Sequence, residues 1–157
     1  MSETNEYIMD KSGLPPGPWM DEPDKLVWVD EATDLDCMIV RGPLGALCGY
    51  VGVGPDHPNH GKSVWHDEGG PVVDAHGGLT FSAKCDEGGT ICHVPQPGRI
   101  TDVWWFGFDC AHAWDLVPHM TYMEGTYKDI EYVRHEVTEL ARQLKDTSHH
   151  QPEGETP

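Results

Sequence analysis

The run LDCMIVRGPLGALCGYVGV, residues 35–53, decides the fold. Leu35, Cys37 and Ile39 alternate onto one face, as a half-buried strand requires. Gly42-Pro43-Leu44-Gly45 then carries turn residues, and a second apolar run spans Ala46–Val53. Two such runs with a turn between them predict an antiparallel hairpin. Working outward, HGGLTFSAKC (76–85) and TICHV (90–94) flank Asp86-Glu87-Gly88-Gly89 and predict a second hairpin, while DVWWFGF (102–108) reads as a fifth strand.

One segment has helical periodicity instead. From about Tyr127 to Lys145, the residues Ile130, Val133, Val137, Leu140, Ala141 and Leu144 recur at offsets of three and four on one stripe. Thr126 with Asp129 imitates a capping box, and Arg142 and Lys145 suit the negative end of the helix dipole. An amphipathic helix needs an apolar surface to cover, which a sheet provides. The expected architecture is therefore α+β: a mainly antiparallel sheet of about five strands with one C-terminal helix packed on it.

A chain of 157 residues has room for one core. Residues 1–24, with GLPPGPWMDEP and many polar groups, read as a flexible acidic, Pro-rich arm; 25–147 read as a single domain and 148–157, SHHQPEGETP within its bounds, as a disordered tail. Ten Lys and Arg against 27 Asp and Glu give a formal charge of −17, which repels duplex nucleic acid. Ten of those carboxylates lie within the first 36 residues, alongside only Lys11 and Lys25. Five cysteines without a regular framework, and no leader-like apolar segment, point to a reducing cytoplasm. No apolar stretch approaches the roughly 20 residues of a membrane span.

The most site-like run is WWFGFDCAHAWD, residues 104–115, in which an aromatic strand ends in ionisable groups. If a helical turn began at Asp109, then His112 and Asp115 would follow on the same side, at successive offsets of three. Asp109 would orient His112 as a general base, or the carboxylates and imidazole would hold a divalent ion. The competing expectation is that Asp109 caps a turn and His112 bonds backbone in a packed corner. His76, before Gly77-Gly78, is the next candidate, because paired glycines permit close approach; a glycine bulge explains the same residues.

His76, Asp109 and His112 are thus the catalytic candidates, and with Asp115 they form a possible Zn or Mn ligand set. The long loop 54–70 carries His57, His60, Lys62, Trp65 and His66, and fits either a lid or a solvated connection. Tyr50, Trp65 and Trp104 or Trp105 are candidates to stack on a ligand ring, and Arg41, Lys62 or Arg99 to meet an anionic group. Cys85, Cys92 and His93 suggest a zinc knuckle only weakly, having no CxxC; paired small core residues explain them equally. Phosphate-loop, nucleophile-elbow and HExxH signatures do not occur.

The stretches GPLGALCGYVGVGPDHPNHGK, HGGLTF, WWFGFDCAHAWD and YKDIEYVRHEVTELARQL, which cover most of residues 37–145, resemble a family of uncharacterised small proteins of bacteriophages, prophages and their bacterial hosts. Where that pattern usually has glycine, this chain has Trp114. The resemblance implies a phage setting and host cytoplasm, and by analogy a role in counter-defence, but no mechanism. Three functions follow as expectations: a small polar, nucleotide-type ligand bound near the HGG and DCAH motifs; a metal-dependent hydrolase using the His/Asp site; or an acidic module that binds a host protein. Self-association is compatible with each.

Overall fold

Residues 36–41 are buried along their whole length because they are flanked by strands on both sides. The structure is a computed structural model that describes residues 4–84, 102–122 and 124–149. Its main sheet comprises β1 (Asn5–Tyr7), β2 (Lys25–Val29), β3 (Asp36–Arg41), β4 (Leu47–Val53), β5 (Phe81–Lys84) and β6 (Trp104–Asp109). All neighbours are antiparallel, in the spatial order β1-β2-β3-β4-β6-β5. A small parallel pair joins β7 (Trp114–Asp115) to β8 (Gly125–Thr126), and one helix, α1 (Ile130–His149), follows.

The hairpin expected at 35–53 is present, with Met38 opposite Tyr50 and Arg41 opposite Leu47. Its turn closes through the Gly42 amide, which donates to the Ala46 carbonyl at 2.8 Å. Each sheet face has its own cluster. Leu26, Trp28, Cys37, Ile39, Leu47, Val51, Phe106 and Phe108 meet Val133, Val137, Leu140, Ala141 and Leu144 of α1. Val27, Met38, Val40, Tyr50 and Trp105 pack together with Val103 on the opposite face. α1 lies across β3 and β4. Gly49 admits it, since a Cβ there would sit 2.6 Å from a Val137 methyl.

Several expectations need correction. The strand expected over 76–85 begins only at Phe81, because Gly77 and Gly78 adopt φ of 68° and 84°, outside the β region. Its observed partner is β6, with Phe81 opposite Gly107. The expected second half of that hairpin, Thr90–Val94, lies outside the described residues, as do Cys85, Cys92, His93 and Arg99. The fifth expected strand starts two residues later and ends one later, at Trp104–Asp109. The helix cap is Asp129 rather than Thr126: its carboxylate accepts the Tyr132 amide at 2.9 Å, three residues nearer the apolar stripe than Thr126. α1 also runs on through Ser148 and His149, into the segment read as a tail.

The leading segment is not a detached arm. β1 extends the sheet, with Glu6 opposite Leu26. Trp19 is buried edge-to-face against Tyr127, its ring centroid 5.1 Å away. Glu22 accepts from the Ile130 amide at 3.0 Å and from the Tyr127 hydroxyl, so this segment helps to cap the helix start. Beneath it Asp24 receives Lys11 Nζ at 2.6 Å and Arg41 Nε at 2.5 Å. Polar and proline-rich composition predicts little apolar burial, but here buried charge pairing and a helix cap hold the segment in place.

Candidate functional site

β6 delivers Asp109 to the rim of the sheet, and the chain then turns through Cys110–Ala113 before β7. No helical turn forms there. The Asp115 amide donates to the His112 carbonyl at 3.0 Å, and Trp114 takes a left-handed φ of 73°. The turn nevertheless gathers the expected residues. Asp109 accepts the Ala111 amide at 3.0 Å and lies 3.2 Å from His112 Nε2. Asp109 thus caps the turn and lies beside His112 without an aligned hydrogen bond to it.

The double-glycine turn brings His76 into the same corner. The His76 and His112 rings are 6.1 Å apart between centroids. Gly77 lies directly against His112: a Cβ there would sit 2.2 Å from the ring, so any side chain would push the imidazole away. His76 Nε2 lies 2.8 Å from Asp115 Oδ2, while its Nδ1 lies 2.8 Å from the Tyr132 hydroxyl on α1. Asp115 also accepts the His112 amide at 3.0 Å and has Lys128 Nζ at 3.1 Å. Burial opposes ionisation of Asp115, but these three donors outweigh it and hold the carboxyl below its ordinary range. An ionised Asp115 only accepts, so His76 Nε2 is the donor in that pair, while its Nδ1 pairs with the Tyr132 hydroxyl.

The two imidazoles therefore differ. His76 spends both nitrogens on protein partners and is 15% exposed, whereas the His112 side chain is 33% exposed. Its Nε2 is buried close to Asp109 but without an aligned hydrogen bond. His112 is thus the ring with capacity for a ligand, and Asp109 is its neighbouring carboxylate.

His76, Asp109, His112 and Asp115 form two separate His–carboxylate pairs. Among the described residues no group of three or more His, Cys, Asp or Glu side chains has the arrangement to hold a metal ion. The expected Zn or Mn ligand set is thereby corrected: both nitrogens of His76 are committed to Asp115 and Tyr132, which turns them away from a shared centre.

The other candidates lie elsewhere. Arg41 is buried and bound to Asp24, Glu22, the Gly45 carbonyl and the Tyr127 hydroxyl, so it is a structural cation and not a ligand contact. Tyr50 and Trp105 are buried in the cluster on the face away from α1, with Trp105 completely enclosed, and present no surface for stacking. Lys62 and Trp65 are exposed on the 54–70 loop, at the opposite end of β6 from Asp109. Trp104 Nε1 donates to the Lys62 carbonyl at 2.9 Å, and five strand steps of ~3.4 Å put that contact about 17 Å from Asp109. His57 belongs to that end as well, 2.7 Å from the Leu144 carbonyl near the end of α1.

Tyr132 and Lys128 join the corner without having been anticipated. Their spacing of four residues was visible, but only the seating of α1 on β3 and β4 shows what they face. The buried thiol of Cys110, beside the corner, is pushed well above its ordinary pKa, first by burial and then by the Asp115 charge, and is no nucleophile. No helix among the described residues is long and apolar enough to cross a membrane. The chain matches no protein-family model, no curated protein and no solved structure.

Proposed function

We propose that the protein binds a small polar ligand of nucleotide type at the His76–His112 corner, with His112 as the group that touches it. The observation that carries this reading is the asymmetry between two facing imidazoles. One is locked by Asp115 and Tyr132, and the other is part-exposed with an unbonded nitrogen. His76 and Asp115 are positioning residues: they fix the turn from which His112 projects. Lys128 supplies positive charge locally in an otherwise acidic chain, which suits an anionic group on the ligand. The resemblance to small phage proteins fits a ligand met in the host cytoplasm, including a nucleotide signal used in defence.

The proximity of Asp109 to His112 favours a second reading, in which the bound ligand is hydrolysed by general-base chemistry. His112 would take the proton of an attacking water, and Asp109 would stabilise the resulting imidazolium. Mass spectrometry of the small molecules that co-purify with the protein tests binding directly. Asp109→Asn combined with His112→Ala should abolish retention of the co-purifying molecule and leave the circular dichroism spectrum unchanged. Collapse of the fold, or undiminished retention, would show the corner to be structural.

A further inference from the structure

A shallow, open surface depression of about 560 Å3 lies next to the histidine corner, lined by Trp114, Thr121, Tyr122, Glu124, Gly125 and Thr126. Its size is within the roughly 300–1,000 Å3 of small-molecule sites. Two of its walls are aromatic and turned to solvent: Trp114 is 67% exposed and Tyr122 79%. Trp114 holds a φ of 73°, a conformation that costs a side-chain-bearing residue ~1–3 kcal/mol. Burial does not offset that cost, since most of the indole is in water. Backbone pairing of Trp114 with Gly125 fixes the conformation, and the result is a large flat ring displayed at the edge of the depression.

We propose that this depression is a nucleobase subsite. A base stacks on the Trp114 indole beside Tyr122, and the Glu124 carboxylate receives its polar edge. A carboxylate only accepts hydrogen bonds, so it matches the adjacent ring N–H and amino donors of guanine. Adenine presents a ring acceptor at the corresponding place, and is disfavoured. The ribose and phosphate then lead over the turn toward His112, whose Cα is at most about 7.6 Å from that of Trp114, two peptide steps away. This last element rests on the function proposed above; the stacking and the base preference do not.

Calorimetric titration with guanosine 5′-monophosphate, adenosine 5′-monophosphate and guanosine tests the subsite. Wild-type protein should bind the guanine nucleotide about tenfold more tightly than the adenine one. Trp114→Gly keeps the left-handed backbone and should weaken both nucleotides about tenfold, as loss of one stacking partner does. Glu124→Gln should erase the preference between bases. His112→Ala should weaken the nucleotide but not guanosine. Normal binding by Trp114→Gly and Glu124→Gln, with loss in His112→Ala, would overturn the subsite and leave the corner standing. Loss in Trp114→Gly with nucleotide binding intact in His112→Ala would support the subsite and overturn the role given to His112. No binding of any of the three by wild-type protein would overturn both.

Discussion

The cluster around Arg41 and the corner around His112 are built from the same materials, cations set against carboxylates at the end of a strand, yet they are opposites in exposure. Arg41, Asp24 and Lys11 have side-chain exposures of 1%, 2% and 4%, and their charges are spent on one another and on backbone carbonyls. His112 and Asp109 stand at 33% and 34%, close together but not aligned. Charge sealed from water must be fully partnered to be tolerated, and then it has nothing left for a ligand. Charge at a rim can stay incompletely paired. The comparison teaches that binding capacity here follows unspent hydrogen bonding, and not the number of ionisable groups.

The largest expected effect is on the sealed side. Arg41→Ala leaves Asp24 and Glu22 short of their central partner and should lower unfolding free energy by about 3–5 kcal/mol in denaturant titration. A loss below ~1 kcal/mol would break the comparison, since the cluster would then be no more than a surface pair. Acid should act on both regions. Asp24 and Asp115 are held below their ordinary pKa; burial opposes this in each, but the hydrogen bonds from Lys11, the Met9 amide and Arg41, and those from His76, the His112 amide and Lys128, prevail. Their contribution is therefore complete above the unfolded carboxyl value near ~3.9 and is lost as pH falls through the lower folded values. The share of stability carried by these two carboxylates should stay level above about pH 5 and be lost below about pH 4, and Arg41→Ala should flatten that loss in melts across the acid range.

Within the corner itself, His76→Ala should cost about 1–2 kcal/mol, because it removes the donor to Asp115 and the partner of Tyr132. His112→Ala should cost less than ~0.5 kcal/mol, having no aligned side-chain bond to lose. Thermal melts of the two variants side by side sharpen the division between the locked ring and the available one, and equal losses would erase it. The smallest effect runs the other way. Trp114→Gly relieves the positive φ and should stabilise by about 1 kcal/mol, a gain in melting temperature obtained at the expense of the displayed indole.

The sequence made some of this legible for definite reasons. Alternation at Leu35, Cys37 and Ile39, and the 3–4 spacing from Ile130 to Leu144, are local patterns, and both elements formed where expected. β1 could not be read that way: Asn5-Glu6-Tyr7 has no apolar alternation, and it pairs only because β2 offers a free edge. Arg41 ends a legible strand, but its side-chain partners Asp24, Glu22 and Tyr127 lie 17 to 86 residues away along the chain, so spacing says nothing of them. At the site, the residue types in HGG and DCAH marked the place. Their geometry depended on two left-handed glycines and on Tyr132, which α1 delivers from 56 residues beyond His76.

The bond from the Ile130 amide to Glu22 spans 108 positions of the chain. During synthesis Glu22 is made well before the helix start that it satisfies. Until then the leading strand can pair, but Glu22 has no amide to cap and Trp19 no Tyr127 to pack against. A nascent chain halted short of residue 130 therefore leaves both ends of this contact unsatisfied. This contact closes only after the start of the helix has been made.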